Sequence, residues 1–324
     1  MGLTIGNVKL EHGLALAPMA GYTDRAMRLV CRECGAEYST TEMVSAKAVT
    51  FGDKKTVDLA RILPDEGAVA LQIFGSEPDV MAKAAELLSG GYAGGAMPAA
   101  IDINMGCPVK KIFGNGEGSA LMRDPELIHR IVASVSGATE LPVTVKLRAG
   151  VDKEHINAVE CALAAEAGGA ALIAVHGRTR AELYSGSADW EIIKRVKAAV
   201  RIPVIANGDI TDAASALEVI RSTGADGIMV GRGAVGNPFV FREIACALSG
   251  ALYTVPTLAD RKAMALHQLR LAAEEKGETV AVAEARKQIA SYFKGFRGAA
   301  QLRGRINTLC VLRDVERAIE DIDE

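Results

Sequence analysis

A cysteine near the middle of the chain is the side chain best suited to chemistry. Cys107 follows a short apolar run in the segment 104–108, and a loop with Gly114, Gly116 and Gly118 comes next. A nucleophilic thiol needs an adjacent base, and the sequence shows no such arrangement. A thiol that donates a proton needs only the right position and pKa. We therefore predict that Cys107 is a proton donor beneath a mobile loop.

A lysine and a glutamine end two other apolar runs, where they would face a bound polar ring. Lys146 would supply a cation that stabilises an anionic reduced cofactor or intermediate. An ion pair between Lys146 and a neighbouring carboxylate is the structural alternative. Gln72 offers both a donor and an acceptor, which suits the edge of a heterocycle.

Two glycine-containing segments late in the chain are suited to a phosphate group. Small residues in 207–209 and 231–233 let backbone N–H groups approach a phosphate, and Arg232 adds a charge-assisted contact. Residues 231–236 also fit the dinucleotide pattern G-x-G-x-x-G, but no strand follows and no acidic residue comes at the required distance. A phosphate beside a cation and a polar ring favours flavin mononucleotide (FMN).

These residues end short apolar runs that alternate with helix-length segments. Eight runs read as strands: 14–20, 38–43, 69–74, 100–105, 142–147, 171–176, 203–206 and 227–230. The helical patterns between them cover 24–33, 77–88, 125–135, 154–167, 188–199 and 212–221. This repeat predicts an α/β fold, a (β/α)8 TIM barrel, with chemistry at the carboxyl ends of its strands. An open doubly wound sheet is the alternative.

After Ala234 the strand signals stop, and residues 258–322 show only helical patterns with a boundary near Pro256. We therefore predict two domains, a barrel over residues 1–250 and an all-helical C-terminal domain over residues 251–324. From 286 to 313 the chain has seven basic residues and no Asp or Glu, interleaved with Tyr292, Phe293 and Phe296. Such a run is either a solvated helix face or a contact surface for a phosphate backbone.

Composition excludes several classes of protein. The chain has 324 residues, 49% apolar and 24% charged, with a formal net charge of −3. These values are ordinary for a soluble globular protein and exclude disorder. No apolar stretch reaches the roughly 20 residues of a membrane span, and the first ten residues lack a signal-peptide core. Six cysteines without regular spacing indicate reduced thiols, so we expect a cytoplasmic protein.

The spacing of histidines and cysteines does not predict a metal site. The five histidines lack a ligand pattern such as H-x-x-x-H. Cys31 and Cys34 form a single C-x-x-C pair inside a predicted helix, with no second pair to complete a zinc site. We interpret this pair as helix packing and expect no bound metal ion.

Several segments together resemble the tRNA-dihydrouridine synthases, nearest their bacterial B-type branch, over residues 16–313. The matching segments are APMAGYTD (17–24), LQIFG (71–75), DINMGCPVKK (102–111), VKLRAG (145–150), HGRTR (176–180), IANGDI (205–210) and GIMVGRGAVGNPF (227–239). The resemblance implies bound FMN, NADPH as the reductant, and reduction of the C5=C6 bond of uridine in tRNA.

The same resemblance implies a role for each site residue. Cys107 is the implied general acid, and Asn104 and Arg178 are the implied contacts to uracil. The implied cofactor-binding residues are Pro18, Met19, Ala20, Gln72, Lys146, His176, Asn207, Gly208, Asp209, Gly231 and Arg232.

With the resemblance, tRNA binding becomes the favoured role of the basic run, and we expect a monomer. If that run is only a solvated face, the tRNA site should lie near Lys110, Lys111 and Arg180. Two other functions remain as alternatives: a flavin barrel acting on a free pyrimidine, similar to dihydroorotate dehydrogenase, and a non-catalytic RNA-binding protein.

Overall fold

Eight parallel strands close into a barrel in the computed structural model, which describes residues 2–322. The strands of the protein are β1 (Leu3–Ile5), β2 (Val8–Leu10), β3 (Leu14–Leu16), β4 (Tyr38–Thr40), β5 (Val44–Ser45), β6 (Val69–Phe74), β7 (Ala100–Met105), β8 (Val143–Arg148), β9 (Leu172–His176), β10 (Val204–Asn207) and β11 (Gly227–Val230). β1 and β2 form a separate antiparallel hairpin, and β5 is a short extension beside β6. The other eight form the barrel.

The ring closes because β4 pairs in parallel with both β3 and β6. An open doubly wound sheet would leave two free edges, so that alternative is wrong and the TIM-barrel prediction is confirmed. Parallel register brings residues from neighbouring strands side by side. Asn104 on β7, for example, lies opposite Lys146 on β8. The predicted polar strand ends therefore meet at one rim of the barrel.

Helices surround the barrel and continue beyond it. They are α1 (Arg25–Glu33), α2 (Ala46–Thr50), α3 (Lys54–Leu59), α4 (Pro78–Ser89), α5 (Lys110–Gly114), α6 (Pro125–Gly137), α7 (Ala158–Ala167), α8 (Trp190–Ala199), α9 (Ala213–Thr223), α10 (Val240–Ser249), α11 (Leu258–Lys276), α12 (Glu278–Gln288), α13 (Ala299–Ile306) and α14 (Leu312–Glu320). Short 3₁₀ turns cover Pro64–Glu66, Gly118–Arg123, Arg232–Ala234 and Ile289–Phe293. Within residues 2–322, no helix is long and apolar enough to cross a membrane.

The first two barrel strands are shorter than predicted, for local reasons. Ala17 still donates its N–H to the Val230 carbonyl at 2.8 Å, but Pro18 has no N–H to continue the ladder. The next N–H, of Met19, donates instead to Thr23 Oγ1 at 2.7 Å, so the chain leaves the sheet after β3. After β4, Thr41 Oγ1 accepts the N–H of Gln72 at 3.0 Å. The residues beyond each strand are thus freed to line the rim.

The aromatic residues of the basic run lie inside the C-terminal helices. Tyr292 and Phe293 are fully buried in a second hydrophobic core, and Phe296 packs against it partly buried. These rings therefore pack the C-terminal helices together. The same core also contains Cys34 and Phe239 from the barrel part of the chain, so the division at residue 250 stays a prediction.

The two cysteines at the end of α1 are both buried, each in a different hydrophobic core. Cys31 lies in the barrel core, and Cys34 lies in the second core. Among the residues that the structure describes, no group of three His, Cys, Asp or Glu side chains could hold a metal ion. The pair therefore packs one helix against two cores, as the helix-packing interpretation predicts.

One lysine joins the C-terminal helices to the barrel. Lys276, at the end of α11, places Nζ 2.6 Å from Asp24 Oδ2 and 2.6 Å from Glu284 Oε2 on α12. Asp24 also caps α1, because its other oxygen accepts the Met27 N–H at 2.9 Å. Burial alone would lower the pKa of Lys276, but the two carboxylates outweigh it and raise that pKa. The lysine therefore stays charged and fixes α11 and α12 against α1.

Replacing this lysine should destabilise the protein. Lys276→Met leaves Asp24 as an unpaired carboxylate with 8% side-chain exposure, so we expect the free energy of unfolding to fall by roughly 3 kcal/mol. The matched control is Lys194→Met, because Lys194 and Glu191 form an exposed pair worth little. Thermal melting of both variants checks this. Equal melting temperatures for the two would contradict the assigned role of Lys276.

Candidate active site

A large cavity of about 1260 Å³ opens where the barrel strands end. All the sequence-predicted site residues except Arg178 line it: Pro18, Met19, Ala20, Gln72, Asn104, Cys107, Lys146, His176, Asn207, Gly208, Asp209, Gly231 and Arg232. The closed barrel thus brings together side chains from distant parts of the chain. Their individual roles remain predictions.

A chain of buried hydrogen bonds fixes the floor of this cavity. Asp102 accepts from Thr144 Oγ1 and from Gln72 Nε2, each at 2.6 Å. Gln72 Oε1 in turn accepts from Asn104 Nδ2 at 2.8 Å. Asn104 Oδ1 accepts the N–H of Cys107 at 2.8 Å. Gln72 and Asn104 are therefore locked in orientation, and Asn104 holds the backbone that carries the thiol.

The Cys107 thiol is buried and kept protonated. Burial raises its pKa above the ordinary value, and the positive charge of Arg148 offsets only part of that effect. The Cys107 side chain nevertheless lines the cavity. A protonated thiol at a cavity wall has the form that a proton donor requires.

Arg148 ties the cysteine segment to the loop after β9. Its Nε donates to the Gly106 carbonyl at 2.7 Å, and its Nη1 donates to the carbonyls of Thr179 and Leu183 at 2.9 and 3.0 Å. Arg148 also lines the cavity. It lies within the resembling segment 145–150, yet nothing in its own spacing marked it as a site residue.

Lys146 is a partly buried lysine without a carboxylate partner in the described part of the chain. Its Nζ donates to Asn207 Oδ1 at 3.0 Å, and no carboxylate of residues 2–322 forms an ion pair with it. Burial, with the nearby charge of Arg148, lowers the pKa of Lys146 to about 7. Across the described residues, the structure therefore does not contain the ion pair between Lys146 and a neighbouring carboxylate that was the structural alternative. An anionic group in the cavity would stabilise the charged lysine.

His176 is held neutral beside these cations. Burial, followed by the charges of Lys146 and the surrounding arginines, lowers the pKa of His176 to about 2. A neutral imidazole has one donor and one acceptor nitrogen, so it orients a polar ligand without adding charge.

Arg178 is not positioned to contact a ligand in the cavity. Its side chain is 1% exposed, and its guanidinium binds both oxygens of Asp209 at 2.8 and 2.7 Å. It also donates to the carbonyls of Ser185 and Gly186 at 3.0 and 2.6 Å. These contacts use four of its five N–H groups, so we expect Arg178 to orient Asp209 and the loop after β9. Although burial opposes the effect, hydrogen bonds from Arg178 lower the pKa of Asp209.

The two predicted phosphate segments lie side by side at the rim. A Cβ atom at Gly208, whose φ is +120°, would lie 2.7 Å from the Ala188 Cβ, so glycine is required there. The first N–H groups of a helical turn lack an intrahelical acceptor, which leaves those at the start of Arg232–Ala234 available to an anion. The Arg232 side chain is 53% exposed, so its charge can reach a ligand.

Other cavity residues come from segments that the sequence did not assign to the site. Tyr184, in the loop after β9, has its ring between the guanidiniums of Arg148 and Arg232, 5.9 and 4.6 Å from the ring centroid. Lys287 and Lys294 reach the cavity from the C-terminal helices. The basic run indicated these lysines, but only the packing of α11 and α12 on the barrel places them at its mouth.

Known proteins resemble this chain over nearly its whole length. Residues 15–322 match the dihydrouridine synthase family. A probable tRNA-dihydrouridine synthase of Rickettsia conorii is 41% identical over 309 residues, covering 95% of this chain and 92% of the relative. The tRNA-dihydrouridine synthase B of Pseudomonas putida is 40% identical over 307 residues, covering 94% and 89%.

Solved structures share the barrel at low sequence identity. An old yellow enzyme homologue from Zymomonas mobilis superposes with a TM-score of 0.51 at 14% identity, covering 80% of this chain and 95% of that chain. Histamine dehydrogenase from Rhizobium sp. 4-9 gives 0.57 at 13% identity, covering 88% and 50%. At such identities the likeness shows the fold. The family match, the relatives and the shared barrel agree, and the chain belongs to the dihydrouridine synthase family.

Proposed function

We propose that this protein is a cytoplasmic, monomeric tRNA-dihydrouridine synthase that uses FMN and NADPH to reduce the C5=C6 bond of uridine. The observation that carries the proposal is that one cavity brings together the Cys107 thiol, whose pKa burial raises, and the amine of Lys146. Family membership and the names of the relatives point the same way. Residues 1–250 would perform the chemistry, and residues 251–324 would bind tRNA.

The side chains of the cavity fit FMN. Burial and the nearby charge of Arg148 lower the pKa of Lys146 to about 7, and the electron-rich end of a flavin ring would stabilise its charged form. Gln72 would hold the polar ring edge, and Pro18, Met19 and Ala20 would line the ring. The ribityl chain and phosphate fit Asn207, Gly208, Asp209, Gly231 and Arg232, where Arg178 compensates the charge of Asp209.

The residues of the chain divide the remaining work. When bound and reduced, FMN would supply a hydride for uracil C6. Cys107 would donate the proton that C5 then requires, and Arg148 and Asn104 hold its backbone in place. His176 stays neutral and so does not compete with Cys107 as an acid.

A tRNA uridine must leave its base stack to reach this site. Asn104 and Gln72 are 8% and 1% exposed, so the floor is accessible only from the mouth of the barrel. Extrusion of the target nucleotide costs a few kcal/mol and is cheapest where the base is already unpaired. Of the two alternatives, a barrel acting on a free pyrimidine needs no basic mouth, and a non-catalytic RNA-binding protein needs no protonated thiol.

The cofactor assignment has a direct test. The purified protein should be yellow, and denaturation should release FMN in a ratio close to one per chain. NADPH should bleach the visible flavin absorbance faster than NADH does. A colourless preparation that binds no added FMN would contradict the proposed function.

Two lysines from the C-terminal helices should bind the RNA backbone. Neutralising them in the double variant K287Q/K294Q should weaken tRNA binding and lower the log–log salt slope by about 0.7–0.9 per lost phosphate contact. The control is K194Q/R195Q on α8, two exposed residues outside the cavity. The measurement is tRNA affinity across a salt series. Identical slopes for the two double variants would mean that Lys287 and Lys294 are solvated side chains only.

A further inference from the structure

Several cations stand around the mouth of the cavity, and one of them stacks on a ring without an acidic partner in the described residues. Lys110, Lys287 and Lys294 are exposed, and Arg232 lies 3.4 Å from Asp209. Arg180 is partly buried, and its guanidinium carbon lies 4.1 Å from the centroid of the Phe113 ring. Arg180 is therefore fixed in place, whereas the three lysines rely on flexible stems.

The stack leaves the hydrogen-bonding groups of Arg180 without protein acceptors. Phe113 is enclosed on its other face by Arg123, whose guanidinium carbon is 4.4 Å from the ring centroid. Among residues 2–322, no oxygen accepts a hydrogen bond from the Arg180 side chain, and its Nε is buried without a partner. A guanidinium that stacks through its face keeps its N–H edge for a planar or anionic acceptor. The chain thus orients a donor group that it does not itself use.

The depth of Arg180 in the cavity indicates which part of a nucleotide it would meet. Gln72 and Asn104 are buried in the cavity, and Cys107 is 9% exposed. Arg180 is less buried, and it stacks on Phe113 of α5, the helix that begins at the exposed Lys110. A nucleotide whose base reaches Cys107 leaves its sugar and phosphate at the mouth. Phosphate oxygens are also the acceptors that an arginine fork fits best.

We propose that Arg180 binds a phosphodiester next to the target uridine, in the position made by its stack on Phe113. The inference rests on the proposed function, because it takes tRNA as the substrate. Because the guanidinium of Arg178 binds Asp209, we assign the RNA contact of this loop to Arg180.

The same contact would steady the segment that carries the thiol. Phe113 belongs to α5, which begins three residues after Cys107. The segment after α5 packs closely on the thiol, because a Cβ at Gly118 would lie 3.0 Å from the Cys107 Cβ. A phosphate bound to Arg180 would therefore fix the Phe113 stack and, through α5, the position of Cys107.

The test compares Arg180→Met with Arg195→Met, a matched loss of an exposed arginine on α8. For Arg180→Met, we expect tRNA affinity to fall about 10- to 100-fold, as for a lost charge-assisted hydrogen bond. The salt slope should fall by about 0.7–0.9, the value of one phosphate contact. Flavin content and flavin reduction by NADPH should match the parent, which shows that the variant is folded. Phe113→Leu keeps the charge but removes the stack, and it should lose part of the same affinity.

A synthetic RNA substrate identifies the contact. Once the parent protein has located the target uridine, a neutral methylphosphonate replaces each neighbouring phosphate in turn. At one position it should weaken binding to the parent but not to Arg180→Met. If the methylphosphonate and Arg180→Met weaken binding additively at each neighbouring phosphate, the proposal is overturned. It is also overturned if Arg180→Met keeps the parental affinity and salt slope but reoxidises its flavin more slowly at saturating tRNA, because that result would assign Arg180 to the base. If the parent forms no dihydrouridine, the proposed function fails and this inference with it; an active parent with an unaffected Arg180→Met variant overturns this inference alone.

Discussion

Cys107→Ala should slow reoxidation of the reduced flavin by tRNA about 10²- to 10⁴-fold, the usual contribution of a general acid. Reduction of the flavin by NADPH should proceed at the parental rate, because that half-reaction needs no proton from the thiol. The expectation depends on the buried, protonated state of Cys107 and on the Asn104 and Arg148 contacts that hold its backbone. Stopped-flow absorbance under anaerobic conditions measures the two half-reactions separately.

The matched control for this variant is Cys310→Ala, because Cys310 is exposed and does not line the cavity. It should reoxidise at the parental rate. If Cys107→Ala also did so, the proton would have to come from another group. His176 is neutral, so the charged form of Lys146, whose pKa is about 7, would be the next candidate.

Lys146→Met should weaken FMN binding about 10- to 100-fold, the range for a lost hydrogen bond to a charged group. Methionine preserves most of the side-chain volume, so the barrel core should remain packed. Lys194→Met is again the control, since Lys194 lies on the outer helix α8. The measurement is titration of flavin-free protein with FMN. Unaltered affinity in Lys146→Met would remove Lys146 from the cofactor site.

The same lysine predicts a pH dependence with a definite sign. Burial lowers the pKa of Lys146 to about 7, so its charged fraction falls as the pH rises through that value. An electron-rich ligand binds best to the charged form, so FMN affinity should decline above about pH 7. Lys146→Met has no group to titrate there and should show a flatter profile between pH 6 and 9. Parallel profiles would show that another group controls binding.

The sequence was sufficient to predict the barrel because most strands carry two signals, an apolar run and a polar or glycine residue near its end. Most of the parallel strands are buried apolar runs, such as Ala100–Met105, although the short β4 is Tyr-Ser-Thr. Polar or glycine residues lie near most strand ends, and closure of the ring brings them to one rim. Cys107, Lys146 and Gln72 therefore converge as predicted.

The details that the sequence missed depend on tertiary contacts. Arg178 and Arg180 are two residues apart in one motif. Arg178 forms an ion pair with Asp209, whereas Arg180 stacks on Phe113 at the cavity. Nothing in their spacing separates the two. Tyr292 and Phe293 are interleaved with basic residues in the sequence, but the C-terminal core buries them. The sequence pattern identifies the residues that share one face of the protein. Tertiary packing determines which of their side chains can contact a ligand.

The measurement that tests the central claim most directly is the product formed for each reductant consumed. Unmodified tRNA is incubated without oxygen with the purified protein and NADPH, and dihydrouridine in the tRNA is counted against NADPH oxidised. The account predicts one dihydrouridine per NADPH, at a single mapped uridine or a small set of them, with almost none formed by Cys107→Ala. NADPH oxidation without dihydrouridine, or dihydrouridine formed equally well by Cys107→Ala, would contradict it.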